Sequence, residues 1–199
     1  MDGFRSNRAG VILSGQTKRP VDEIELMVQV SQGDLAKLGI LYERYKQSLF
    51  GYFYRVTCGD HAFSEDMVHQ VFMRVLKYRK SFQGTGSFAK WLFHIAHHVA
   101  VDYSKSVRHF TVPESIAFNP AKDPDPYKSL EQQEKITLLN HALSRLKDDD
   151  REAVILAKIQ GLKYQHIAGI LNMTEGAARV KIHRAMIELK KIYAQLESA

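Results

Sequence analysis

Apolar residues recur along this chain at helical spacing almost from end to end. Ile24, Met27 and Val28 open a first amphipathic segment that Ser31–Asp34 interrupts. Leu38, Leu41, Tyr42, Tyr45, Leu49, Tyr52 and Phe53 then keep the i, i+3, i+4, i+7 register of one buried helical face through Val56. A third helix is expected from Ser64 to Tyr78, with Ser64 as its N-cap and Met67, Val68, Val71, Phe72, Val75 and Leu76 buried. The cleanest stripe follows in Ser87–Lys105, where Phe88, Trp91, Leu92, Ile95, Ala96, Val99, Ala100 and Tyr103 share one side. Nothing between Glu23 and Lys105 alternates with the period of two that a strand requires.

The pattern stops at His109 and resumes near Ile136. Four of the five prolines (Pro113, Pro120, Pro124 and Pro126) lie in this gap beside Asp123 and Asp125. It reads as a linker over residues 109–133. At about 3.3 Å per extended residue it could reach on the order of 80 Å. The predicted fold class is therefore all-α: two helical domains, residues 21–108 and 134–199, joined by a flexible linker. Residues 1–20 mix Gly, Ser, Arg and Lys without period and read as a disordered tail.

In the second domain Ile136, Leu138, Leu139, Ala142, Leu143 and Leu146 form an opening helix. Asp148–Asp150 suit the positive end of the next, and Gly161 closes it. Tyr164, Ile167, Ala168 and Leu171 make a short helix that Asn172 and Met173 end. Thr174 caps a long one whose stripe is Ala178, Ile182, Ala185, Leu189, Ile192 and Leu196. Arg179, Lys181, His183, Arg184 and Lys190 occupy its outer face. A short helix, a tight turn and a longer cationic helix have helix-turn-helix geometry, in which the second helix enters the DNA major groove. An ordinary helical hairpin with solvated charges fits the spacing equally. The small residues Gly176, Ala177 and Ala178, which permit close approach to a duplex, favour the first reading.

A net charge of +6 and a pI near 9.3 suit a polyanionic partner but select none. The single cysteine, Cys58, cannot form an internal disulfide and fits a reducing compartment. No apolar run approaches a membrane span, so a cytoplasmic protein without membrane insertion is expected. The glycines of Phe82–Ser87 lack the Gly-Lys-Ser/Thr of a phosphate-binding loop. His94, His97 and His98 invite a metal reading, with Asp102 as a further ligand in a hydrolase. No Glu takes the zinc-protease position and no cysteine lies nearby. No metal or other cofactor is expected.

Three strings carry a more specific signal: Glu65–Phe72 (EDMVHQVF), Trp91–His98 (WLFHIAHH) leading to Asp102-Tyr103, and Gly161–Ala168 (GLKYQHIA) with Glu175–Ala185 (EGAARVKIHRA). In this order, with a Pro/Asp linker between the second and third, the chain resembles the extracytoplasmic-function sigma factors of bacterial RNA polymerase. That resemblance implies a non-enzymatic initiation factor that binds polymerase core, directs it to promoters and helps open the strands. It implies a polymerase-binding face at Asp66, Gln70, Met73, Arg74 and Lys77. The minus-ten element would meet the loop residues Gln83, Gly84, Thr85 and Ser87 and the helix residues Lys90, His94, His97, His98, Val101, Asp102 and Lys105. The minus-thirty-five element would meet Thr174, Glu175, Gly176, Ala177, Arg179, Val180, Lys181, His183 and Arg184. An anti-sigma protein is a plausible further partner on the same ground. Where the family usually has Arg-Asn after Ile-Ala, this chain has His97-His98. Imidazoles on a DNA-facing surface predict weaker DNA binding as pH rises. A response-regulator-type factor shares such a C-terminal motif, but its first half would need strands.

Overall fold

A computed structural model describes residues 22–108 and 130–198. Among them every regular element is helical. The first domain holds α1 (Glu23–Gln32), α2 (Ala36–Val56), α3 (His61–Tyr78), a single 3-10 turn at Arg79–Ser81 and α4 (Phe88–Arg108). The second holds α5 (Leu130–Ser144), α6 (Asp148–Val154), α7 (Tyr164–Ile170) and α8 (Glu175–Glu197). The fold is thus two helical domains, the second a helix-turn-helix. The predicted tail (residues 1–20) and most of the linker (109–129) fall outside the described residues.

Local chemistry sets most boundaries. Asp22 caps α1 by accepting from the Ile24 N–H, and Gly33 ends it with φ of 112°. The α2–α3 corner takes two left-handed residues, Cys58 and Gly59. The α3 start differs from expectation. Asp60, not Ser64, is the N-cap, accepting from Phe63 N at 3.1 Å. Ser64 lies one turn inside the helix, fully buried, with its hydroxyl donating to the Asp60 carbonyl. A serine can satisfy itself on the preceding turn in this way, which makes it ambiguous as a start signal. Thr174 does cap α8, accepting from Ala177 N at 3.2 Å.

Past Val154 the helix widens into a π turn over Ile155–Ile159, closed by the Gln160 N–H on the Ile155 carbonyl at 3.0 Å. Gly161, with φ of 67°, then ends it.

The stripes read from sequence form the core. Leu41, Leu49, Tyr52, Phe53, Phe88, Leu92 and Ala96 are buried to 1% exposure or less. Ile155, Leu156, Ile167, Ile170 and Ile182 of the second domain join this same cluster, so the two domains share an apolar seam. A smaller cluster of Ala142, Leu143, Leu146, Val154, Ala185, Leu189 and Ile192 holds α5 to α8. Phe93, outside the expected stripe, is also buried, stacking edge-on against Tyr52. The second domain adds to the cover of α4 by packing α7 against it.

Candidate nucleic-acid interface

The outer side of α8 starts at its first turn. Gly176, Arg179, Val180, His183, Arg184 and Ile187 are all exposed and follow one another at i+3 and i+4 steps. Val180 and Ile187, 49% and 57% exposed, place apolar groups within this cationic ridge. A Cβ added at Gly176 would meet nothing within 4 Å. Glycine lowers helix stability, and no neighbour in this chain requires it there. Arg179 sits over the Tyr164 ring at 5.4 Å and 3.2 Å from Glu175, which preorganises its long side chain. Lys181 is set apart on the flank: only 25% of its side chain is exposed, and its ammonium lies 2.9 Å from Asp150. Thr174 serves as the cap, with Glu175 and Ala177 exposed beside it.

In the first domain Gln83, Thr85 and Gly86 are exposed at the loop apex. Gly84, with φ of 68°, comes so close to Val28 that a Cβ would lie 3.1 Å from its methyl. The Ser87 hydroxyl accepts from Lys90 N at 3.3 Å and starts α4. Lys90, His94, His98, Asp102 and Lys105 are exposed along that helix, with Val101 half-buried. His94 and His98 pack ring against ring, their centroids 4.6 Å apart. Burial, then the neighbouring His98, His97 and Lys90, lowers the His94 pKa. Among the described residues no group of three or more His, Cys, Asp or Glu is placed to hold a metal ion.

His97 differs from its neighbours. Its ring turns into the domain seam, where Nδ1 lies 2.8 Å from a Glu152 carboxylate oxygen. The same oxygen accepts the Tyr52 hydroxyl at 2.5 Å. The Glu152 hydrogen bond raises the His97 pKa against an opposing effect of burial. Sequence reasoning missed Glu152 because Asp148–Glu152 looks like a solvated charge run. One signal was available: Glu152 precedes Ile155 and Leu156 by three and four residues, which puts a carboxylate on the buried side of its helix.

On α3, Asp66, Gln70, Met73 and Lys77 make a continuous exposed row, with Met73 63% exposed. Arg74 leans off this row to pair with Asp102 of α4 at 2.6 Å. An unburied methionine among polar residues is an adaptable contact for a protein surface.

Two family models match the chain, one in each domain. Residues 41–109 match the family model for sigma-70 region 2, and residues 136–189 that for sigma-70 region 4. RNA polymerase sigma factor YlaC of Bacillus subtilis is 31% identical over 154 residues, 76% of this chain and 88% of its own length. ECF RNA polymerase sigma factor SigX of the same organism is 30% identical over 161 residues, 76% of this chain and 81% of its own. Two solved structures share the fold. CnrH, solved with the cytosolic domain of CnrY, has a TM-score of 0.65 at 19% identity, covering 86% of this chain and 97% of that one. The sigma factor RpoE of Bartonella quintana, solved with the anti-sigma factor NepR, has a TM-score of 0.60 at 24% identity over 81% and 94%. With both sigma-70 regions matched in order and close relatives covered over most of their length, the chain belongs to the extracytoplasmic-function sigma factors of bacterial RNA polymerase.

Proposed function

We propose that this sigma factor divides its work between three surfaces. Polymerase core docks on the α3 row of Asp66, Gln70, Met73 and Lys77, with Arg74 at its edge. The loop 82–87 and the outer side of α4 hold the minus-ten element, and the α8 ridge reads the minus-thirty-five element. The exposed α8 ridge is the observation that carries this reading. It combines cations for phosphates, a glycine that leaves room for a duplex, and Val180, whose methyls suit a thymine methyl in the major groove.

The protein contributes binding energy and no bond chemistry of its own. Bases unstacked from the opening duplex cost a few kcal/mol each. Stacking and charge along α4 and its loop offset that cost. Such a factor works where polymerase and chromosome are, in the cytoplasm. Among the described residues no helix is long and apolar enough to cross a membrane. The solved relatives bound to CnrY and NepR make an anti-sigma protein a reasonable partner for this chain as well.

The test is a reconstituted one. The full chain is added to bacterial core polymerase with a library of promoter fragments, and the transcripts are sequenced. Specific initiation that depends on the added chain is expected. Failure to bind core and to start transcripts would overturn the reading.

A further inference from the structure

The loop that would meet the minus-ten element has little to fix it from within. Gly84 and Gly86 both hold positive φ, 68° and 81°, and glycine is the residue least bound to any one conformation. The ends of the loop are fixed from outside. Phe82 and Phe88 flank it, both buried, and their rings meet each other and Trp91 with centroids 5.3 to 6.1 Å apart. Its middle rests on α1. The half-buried Val28 side chain lies so near Gly84 that a Cβ there would sit 3.1 Å from a Val28 methyl. Gln83 and Thr85, on either side of that contact, are exposed.

The helix behind the loop is itself firmly seated. Leu26, Met27 and Val30 of α1 are buried to 1% exposure or less. Its first residue, Glu23, accepts the Tyr45 hydroxyl of α2 at 2.6 Å. The Tyr45 ring in turn meets Phe88 edge-on at 5.3 Å, so the start of α1 and the far end of the loop share one support. The helix also packs on the Arg79–Ser81 turn that leads into the loop. It precedes the span matched to sigma-70 region 2, residues 41–109, so that match assigns α1 no part in promoter reading.

We propose that α1 is a positioning element for minus-ten recognition, with Val28 as its positioning residue. The Val28 methyls set the height of Gly84, and thereby the placing of the Gln83 amide and the Thr85 hydroxyl against an unpaired base of the promoter strand. The inference deepens the minus-ten role assigned above and rests on it. An amide and a hydroxyl tell bases apart by hydrogen bonds, which weaken steeply as the angle at the hydrogen falls toward 120°. A loop already held in its bound pose loses no affinity to its own ordering. Recognition carried on a loop is therefore only as sharp as the packing behind it. Val28 touches no DNA in this scheme, so its truncation blurs the choice between bases more than it weakens the fold.

The test uses the full chain. NMR of the free wild-type protein should give the Thr85 and Gly86 amides order parameters near the rigid value of about 0.85, and V28A should lower them. With core polymerase, initiation is then measured on a promoter recovered from the fragment library, varied one minus-ten base at a time. V28A should cut the preference for the best base over the next several-fold, and the bulkier V28I should cut it too. V68A is the control for lost stability. Val68 is buried on the side of α3 that faces Tyr42 and Phe50, and its truncation should lower Tm at least as much while keeping the preference. Wild-type loop amides with order parameters below about 0.6 overturn the inference without any variant having to fold. So does a V28A preference equal to wild type, or a preference lost equally in V68A. Q83A and T85A separate this inference from the reading beneath it. If both keep the wild-type preference, the loop does not read the minus-ten element, and the role assigned above fails with the inference. If either loses it while V28A keeps it, the inference alone fails.

Discussion

The Arg74 guanidinium lies 2.6 Å from the Asp102 carboxylate, tying the side of α3 that would face polymerase to the side of α4 that would face promoter DNA. Both side chains are substantially exposed, at 31% and 55%. A pair so hydrated contributes on the order of 1 kcal/mol or less to stability. R74A is accordingly expected to lower Tm by no more than about 4 °C, read by calorimetry. Its affinity for core polymerase should fall by more than that small change accounts for. A large loss of Tm with unchanged core binding would recast Arg74 as purely structural.

Arg179 and Arg184 are expected to be the largest single contributors to minus-thirty-five recognition. Loss of a good arginine contact to a base edge costs about 1–3 kcal/mol, and loss of a phosphate contact lowers the salt slope of binding by about one. R179A and R184A should each reduce promoter output roughly tenfold or more at a minus-thirty-five-dependent promoter. Titrating DNA binding against salt would then tell which arginine meets phosphate. Unchanged output from both variants would remove α8 as the reading helix.

Gly176 separates binding from folding. Its Cβ direction is open, and it lies in the first turn of α8. G176A should leave thermal stability unchanged or raise it by up to about 1 kcal/mol, while G176L weakens promoter binding through lost approach to the duplex. Measuring melting and DNA affinity on the same preparations gives both readouts. A glycine kept only for the fold would give the opposite pair of results.

Arg151 is buried at 6% exposure and donates to the Leu146 carbonyl at 3.1 Å, the Val56 carbonyl at 3.0 Å and Asp148 at 2.9 Å. Replacement by methionine keeps much of the volume but strands two carbonyls. R151M is expected to cost about 2–4 kcal/mol, checked by urea denaturation. A variant as stable as wild type would mean that water reaches those carbonyls.

Helices were legible in this chain because local signals agreed with burial. Leu92 and Ala96 repeat at the spacing of a buried face, and Thr174 caps where a hydroxyl can reach an orphan N–H. The outward row of α8 was legible for the same reason, since exposure on a helix follows from its buried side. What could not be read was the relation between domains. His97 and His98 are neighbours in sequence with the same chemistry, yet one enters the seam and the other stays exposed. Only the position of Glu152, brought in by a separate domain, distinguishes them. Helical phase alone groups Lys181 with the outer cations, whereas its ion pair with Asp150 depends on how α6 crosses α8. The α3 start lies one turn earlier than Ser64 suggests because Asp60 and Ser64, one turn apart, are both residues that can cap, and only Asp60 accepts a backbone N–H while Ser64 donates to a carbonyl.

The wide turn at Ile155–Ile159 has a consequence for how this chain tolerates length changes. One residue more than an ordinary helical turn is accommodated there, so everything after it is rotated relative to the helix before it. Glu152 ahead of the bulge and Gln160 behind it can thereby both address the first domain. Inserting a further residue into this turn would rotate the segment beyond it by about 100°: the anchors on either side would aim in different directions, though the amino acids making the contacts were all still present.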